Sequence, residues 1–423
     1  MGLLLALFHP HGESRGQESS DAPPQRQQTP DPNDFPGSDN EKIRAAITAA
    51  QKTGGVVRIP ARAPDGGSAR SYWLLDEAIL LPGGTTLVLE NCRLKLSDRC
   101  RDNFIRSANC GIGVPTIEEL RGIHILGIGE VVLEGADRPR ATGDSAKTLG
   151  ERTYGTDAGK PGESQTGDWR NIGILLAEVT DFSIRNLSLK DYHAWGVSLE
   201  HCTSGTVADL RFDAQNGRTI DGKFERFLNQ DGLDLRKGCR DITIENISGR
   251  SGDDLIALTG IRREGGRAGT LDSTMVGGSG PRGSDDDMRH ITIRNVRGHC
   301  VGGHHIIRFL NTSGIRMHDI LVDGVIDTSP DGIQSKALIR VGDSNPAWGG
   351  VTPLGETGRF LIRNLNSRAG ATVLVSGSLC DSRIDNVIIH PPGVEALTPA
   401  SGEENLRNVS VGGVVKLAAE ETE

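Results

Sequence analysis

Asp231, Asp253, Asp254 and His304 stand in three short polar signals: Asn229-Gln230-Asp231, Asp253-Asp254 and Gly303-His304-His305. From Asp231 it is 22 residues to Asp253 and 23 to Asp254. From Asp254 to His304 it is 50, or 23 once a 27-residue excess in that interval is removed. In a chain that winds with that step, all four side chains fall at nearly one angular position. Crowded carboxylates raise one another's proton affinity, so one stays protonated as a general acid while its neighbours remain ionised. A single Asp in a Gly-rich chain is more often a turn former, but three acids and a His in register argue for a site. Asp209, Asp234 and Asp241 are read as turn or exterior residues.

The element that would position these groups is a repeat. Alternating apolar residues followed by Asn or Asp recur with markers at Asn186, Asp209, Asn246, Asn295, Asp319, Asn364, Asn386 and Asn408. The separations are 23, 37, 49, 24, 45, 22 and 22 residues. The short steps give the period, and the long ones carry Gly- and charge-rich excesses at Ala214–Leu228, Arg262–Met288 and Thr328–Gly350. Alternation over four to six residues argues for strands, and a period in the twenties for a solenoid. Helical spacing is absent after Ala50, and the dense Leu pattern of leucine-rich repeats is missing. Near-equal steps tell against a β-sandwich. An all-β fold, a parallel β-helix, fits best, with Asn suited to a tight turn and to bonding with its copy one coil away. Gly at 56 of 423 residues and only 4 % aromatics suit a narrow core with many turns.

Residues 1–36 read as a disordered leader, 37–419 as a single solenoid domain and 420–423 as a frayed acidic tail. Asn40–Lys52 is the one convincing helix, with Ile43, Ala46, Ile47 and Ala50 on one face and Asp39 or Asn40 as cap; it would close the open end of the solenoid. The apolar run Leu3–Phe8 is too short to cross a membrane, and a secreted or periplasmic location is the expectation it leaves. Seven cysteines without a CxxC pair suggest neither a disulfide scaffold nor a zinc site, and no metal or cofactor is expected. A net charge of −9 disfavours nucleic acid and anionic membranes as partners. Arg262, Arg263, Arg308, Lys336 and Arg340 could make a cleft locally basic, and a monomer is expected.

The motifs Asn229-Gln230-Asp231-Gly-Leu-Asp234, Asp253-Asp254 and Gly303-His304-His305 resemble the polygalacturonase family of glycoside hydrolases (family 28, pectin-lyase-like superfamily) over about Asn171–Val341. The resemblance implies a right-handed parallel β-helix and an inverting hydrolase of a pectin-like, uronate-containing or decorated polysaccharide. It implies Asp253 as general acid, Asp231 and Asp254 as the pair holding the attacking water, and His304 as the residue tuning the acid. The departures are Gln230 for Thr, His305 for the second Gly of Gly-His-Gly, and Arg340-Val341-Gly342 for Arg-Ile-Lys, which keeps the arginine and loses the lysine. Asn229, His305, Arg308 and Arg340 are candidate substrate contacts. Trp195, in Tyr192-His193-Ala194-Trp195, is either a sugar-stacking platform or an aromatic packed in a turn, and His193 divides the same way.

Two rival readings remain open in the sequence. A polysaccharide lyase would share the fold but needs a cation to neutralise a uronate and a Lys, Arg or Tyr base. A non-catalytic glycan-binding solenoid would not need acids in register.

Overall fold

Segments such as Ile242-Thr243-Ile244-Glu245-Asn246-Ile247 send every second side chain into a core in which Ile242, Ile244 and Ile247 are fully or almost fully buried. Each such aliphatic contributes about 1.5–3 kcal/mol by leaving water. The strand bends where Asn246 adopts a left-handed backbone (φ 56°), and Asn186, Asn295 and Asn386 do the same on other coils. Asn tolerates that region better than a β-branched residue would. The Asn295 Nδ2 donates to Asn246 Oδ1 at 2.7 Å, and Asn386 Nδ2 to Asn364 Oδ1 at 2.6 Å, so the expected ladder between coils is present.

The computed structural model describes residues 29–64, 70–100, 102–111, 114, 117–138, 169–227, 229–261, 282–391 and 395–418. Most of the leader, the tail 420–423, Arg262 and Arg263 lie outside the described residues. Long strands such as Val179–Lys190, Thr203–Asp213, Arg240–Ser251 and Met288–Cys300 pair in parallel within a 12-stranded sheet. The shorter strands between them build a parallel 10-stranded sheet, so each coil visits both sheets and the aliphatic core lies between. This is a parallel β-helix. The excess at Ala214–Leu228 contains a hairpin of Gly217–Ile220 against Lys223–Arg226.

One marker of the repeat is corrected. Asp319 does not stand in the row of Asn295: pairing of Arg289 with His318 and Ile291 with Ile320 sets it level with His290. The marker's place on that coil is taken by Gly324 (φ 86°). Long strands carry two left-handed residues, for example Asp241 (φ 59°) and Asn246, and Asp or Asn suits both, so residue type alone does not separate them.

The helix spans Asp39–Gln51 and buries Ile43, Ala46, Ile47 and Ala50. Its cap is Ser38, in a capping box with Glu41, and not Asp39 or Asn40. Asp39 is instead buried as the acceptor for Arg62 Nε at 2.9 Å and the Leu74 amide at 2.7 Å. No helix among the described residues is long and apolar enough to cross a membrane. All seven cysteines are buried and unbridged.

Candidate active site

Five consecutive short strands carry the site: Val197–Glu200, Leu233–Arg236, Ile256–Gly260, His305–Asn311 and Ala337–Val341. Pairing aligns Leu233, Ile256, Ile307 and Ile339, all fully buried in the core. Because strand side chains alternate, the neighbouring row of Asp234, Ala257, Arg308 and Arg340 faces the other way, onto a cleft of about 710 Å³. The turns leading into these strands bring Asp231, Asp253, Asp254 and His304 to the same cleft.

The order along the row differs from the sequence count by one residue. Since Ile256 pairs with Ile307, Asp254 stands level with His305, and Asp253 with His304. A one-residue slip exchanges the faces of a strand. His305 is therefore the neighbour of Asp254, buried in the cleft wall, and His304 is the more exposed of the two at the cleft.

Asp254 is almost wholly buried, and its Oδ1 accepts from His305 Nδ1 at 2.7 Å and from the His305 amide at 3.0 Å. Its Oδ2 lies 3.6 Å from Arg308 Nη1. Its own amide donates to Asp231 Oδ1 at 3.2 Å, which ties the Asp231 carboxylate to the backbone of the next coil. Burial alone would raise the Asp254 pKa, but the His305 imidazole and Arg308 outweigh it and hold it down at about 2. Asp253 faces the cleft with Oδ1 3.2 Å from His304 Nδ1. Burial, followed by the negative charge of Asp254, pushes Asp253 up to about 6 against the pull of His304. Two adjacent acids on one turn are thus driven apart in proton affinity. Asp231 and Asp234 are both held well above the usual carboxylate range, by burial first and then by repulsion among the four acids. Burial lowers the His305 pKa, which favours a neutral ring donating its Nδ1 proton to Asp254.

Several sequence readings are revised. Asp234 is neither turn nor exterior: it is buried on Leu233–Arg236, lines the cleft and lies 3.9 Å from Arg236 Nη1. Its signal was the alternation Leu233-Asp234-Leu235-Arg236, which puts the polar pair on one face. His305 is too buried for a substrate contact and instead holds Asp254. Trp195 is 3 % exposed, and the Arg236 guanidinium sits 4.8 Å from its ring centroid, so it offers no platform to a sugar. His193 packs edge-on against Phe227 at 4.7 Å and is not among the cleft-lining residues. Asn229 does line the cleft, with a left-handed backbone (φ 56°). Gln230 has a structural role: its Oε1 accepts from the Gly217 amide at 3.1 Å and its Nε2 donates to Tyr192 O at 2.6 Å, fastening the hairpin to the preceding coil.

Arg308 and Arg340 both reach the cleft, and both bind one carboxylate that the sequence reading missed. Asp343 Oδ2 accepts from Arg308 Nη2 at 2.8 Å and lies 3.0 Å from Arg340 Nη2. The glycine that ends Arg340-Val341-Gly342 is itself required. Gly342 has φ 72°, and a Cβ there would lie 2.4 Å from the Gly377 Cα. Gly342→Lys should therefore lose more than about 2 kcal/mol, read as a lowered urea midpoint, and should gain no affinity for uronates.

Among the described residues, no group of three or more His, Cys, Asp or Glu is arranged to hold a metal ion. Residues 150–306, which include the four acids and both histidines, match the family model for glycosyl hydrolases family 28. No curated protein matches the chain. Similar solved structures include a hyperthermoactive exopolygalacturonase from Thermotoga maritima, at 13 % identity and TM-score 0.48 with 91 % of each chain covered. A polygalacturonase from Erwinia carotovora ssp. carotovora follows at 13 % and 0.46, covering 91 % of this chain and 95 % of that one. An endo-xylogalacturonan hydrolase from Aspergillus tubingensis stands at 12 % and 0.47, covering 90 % and 92 %.

Proposed function

We propose that the chain is a polygalacturonase-like glycoside hydrolase that cleaves a pectin-like, uronate-containing polysaccharide with inversion at the anomeric carbon, a reading supported by the family-28 match over residues 150–306. The observation that carries this reading is the placing of two adjacent acids on one turn: Asp254 is buried with His305 Nδ1 at 2.7 Å and Arg308 Nη1 at 3.6 Å, while Asp253 faces the cleft 3.2 Å from His304 Nδ1, surroundings that depress the first carboxyl and raise the second. Asp253 keeps a proton in mildly acidic solution and delivers it to the glycosidic oxygen as the bond to the anomeric carbon breaks. Asp254, ionised and joined to Asp231 through its amide, orients a water and accepts its proton as the new C–O bond forms on the opposite face. Inverting enzymes separate acid and base by about 6.5–9.5 Å to admit that water. His304, 3.2 Å from Asp253, balances the charge left there after proton transfer. We also propose a secreted or periplasmic location, where a polymeric substrate would be met; cell fractionation would check it.

The test is a screen of uronate polysaccharides for new reducing ends, followed by NMR of the first-formed anomer. The anomer should be opposite in configuration to the bond cleaved. A retained configuration, or an unsaturated product absorbing in the ultraviolet, would overturn the mechanism, the second in favour of a lyase.

A further inference from the structure

Five cations line the cleft: Arg226, Arg236, Arg308, Lys336 and Arg340. Three are already engaged. Arg236 is buried over the Trp195 ring and beside Asp234, while Arg308 and Arg340 share Asp343. An anionic sugar approaching either of these last two would meet the carboxylates of Asp343 and, at Arg308, of Asp254. Their guanidinium N–H groups and the Asp343 carboxylate together suit hydroxyls, which both accept and donate, better than they suit a second carboxylate.

Lys336 is different. Its side chain is exposed, lines the cleft and makes no ion pair among the described residues. Its backbone is fixed from both sides: its amide donates to His304 O at 2.8 Å, and its carbonyl accepts from the Ala371 amide at 3.0 Å. Lys336 therefore stands on the coil directly after His304 and two strand spacings, roughly 10 Å, from the coil of Asp254. Arg226 is also exposed, but it lies on the outer hairpin and has no such tie to the acidic row.

We infer that Lys336 is the specificity-determining cation of the cleft, binding the carboxylate of a uronate next to the scissile bond, while the Arg308–Asp343–Arg340 cluster binds neutral hydroxyls. This rests on the hydrolase reading above for the position of the scissile bond, but not for its test. Calorimetric titration of the full chain carrying Asp253→Asn with a galacturonate oligomer and with its methyl ester separates the two. A charge-assisted contact predicts that the acid binds about tenfold or more tightly than the ester. Adding Lys336→Met should erase that preference, and Lys336→Arg should restore most of it. With Asp253 intact, Lys336→Met should raise KM on the acid polymer and leave kcat within about twofold. Because Lys336 is exposed, its substitution should move the melting temperature little. Equal binding of acid and ester, no binding of the acid, or a preference that survives Lys336→Met would overturn the assignment. Equal hydrolysis by wild type and Asp253→Asn would instead sink the catalytic reading and leave this one standing.

Discussion

Asp253→Asn is expected to lower kcat by about 10³-fold or more and, at pH 7, to make the protein more stable than wild type. On the proposed mechanism the loss follows from removing the proton donor to the leaving oxygen. The gain follows from linkage. A carboxyl raised to about 6 in the fold, against about 3.9 unfolded, favours the neutral form in the native state. Its stabilising contribution is complete below pH 4 and disappears as pH rises through 6, so at pH 7 wild type carries the full penalty of an ionised Asp253. Asn removes that penalty, raising stability by between about 1 and 3 kcal/mol above pH 6 and by nothing below pH 4. Asp254→Asn should do the opposite. Its carboxylate, depressed to about 2, contributes stability that is present above pH 4 and lost as pH falls through 2. The amide also forfeits the charge that His305 and Arg308 surround, so the variant should melt lower at pH 7. Urea titrations of both variants at pH 3.5, 5 and 7 would read this. Equal shifts at the two positions, or a destabilised Asp253→Asn, would show that Asp253 is not held strained against its neighbour.

The parallel β-helix was legible because its signal is distributed: the core alternation and the left-handed Asn positions recur on coil after coil, and an error at one marker does little harm. Asp319 shows the limit. Two positions per long strand accept Asp or Asn, and only the hydrogen-bonded register tells them apart. The same limit set His304, and not His305, level with Asp254 in the sequence count. Within the site, Asp231, Asp253 and Asp254 were found because their spacing matched the period. Asp234 was missed because a polar residue between two leucines was taken for a turn, although its pairing with Ala257, which pairs in turn with Arg308, sets it in the row that faces the cleft. Asp343 escaped because its role depends on two arginines that approach it from different coils, Arg308 and Arg340. Trp195 could not be assigned from sequence, since whether an aromatic face is open depends on what covers it, here Arg236 from the next coil.

The pH profile offers the sharpest test of how these partners divide the work. For wild type, kcat/KM should fall above about pH 6 as Asp253 ionises and should persist down to about pH 3, because Asp254 stays charged until about pH 2. His305→Ala removes the imidazole that donates to Asp254 at 2.7 Å and leaves it the residue-305 amide at 3.0 Å and Arg308 at 3.6 Å. Burial then dominates, so the acid limb should move up by about one to two pH units and kcat/KM should drop by about tenfold or more even at its optimum. The alkaline limb should stay near 6, since Asp254 is ionised there in both proteins and still repels the Asp253 charge. His305→Asn, whose amide can donate in place of Nδ1, should recover part of the shift. An acid limb that does not move in His305→Ala would mean that Asp254 is not the group whose ionisation sets it, and the base would have to be sought in Asp231 or Asp234.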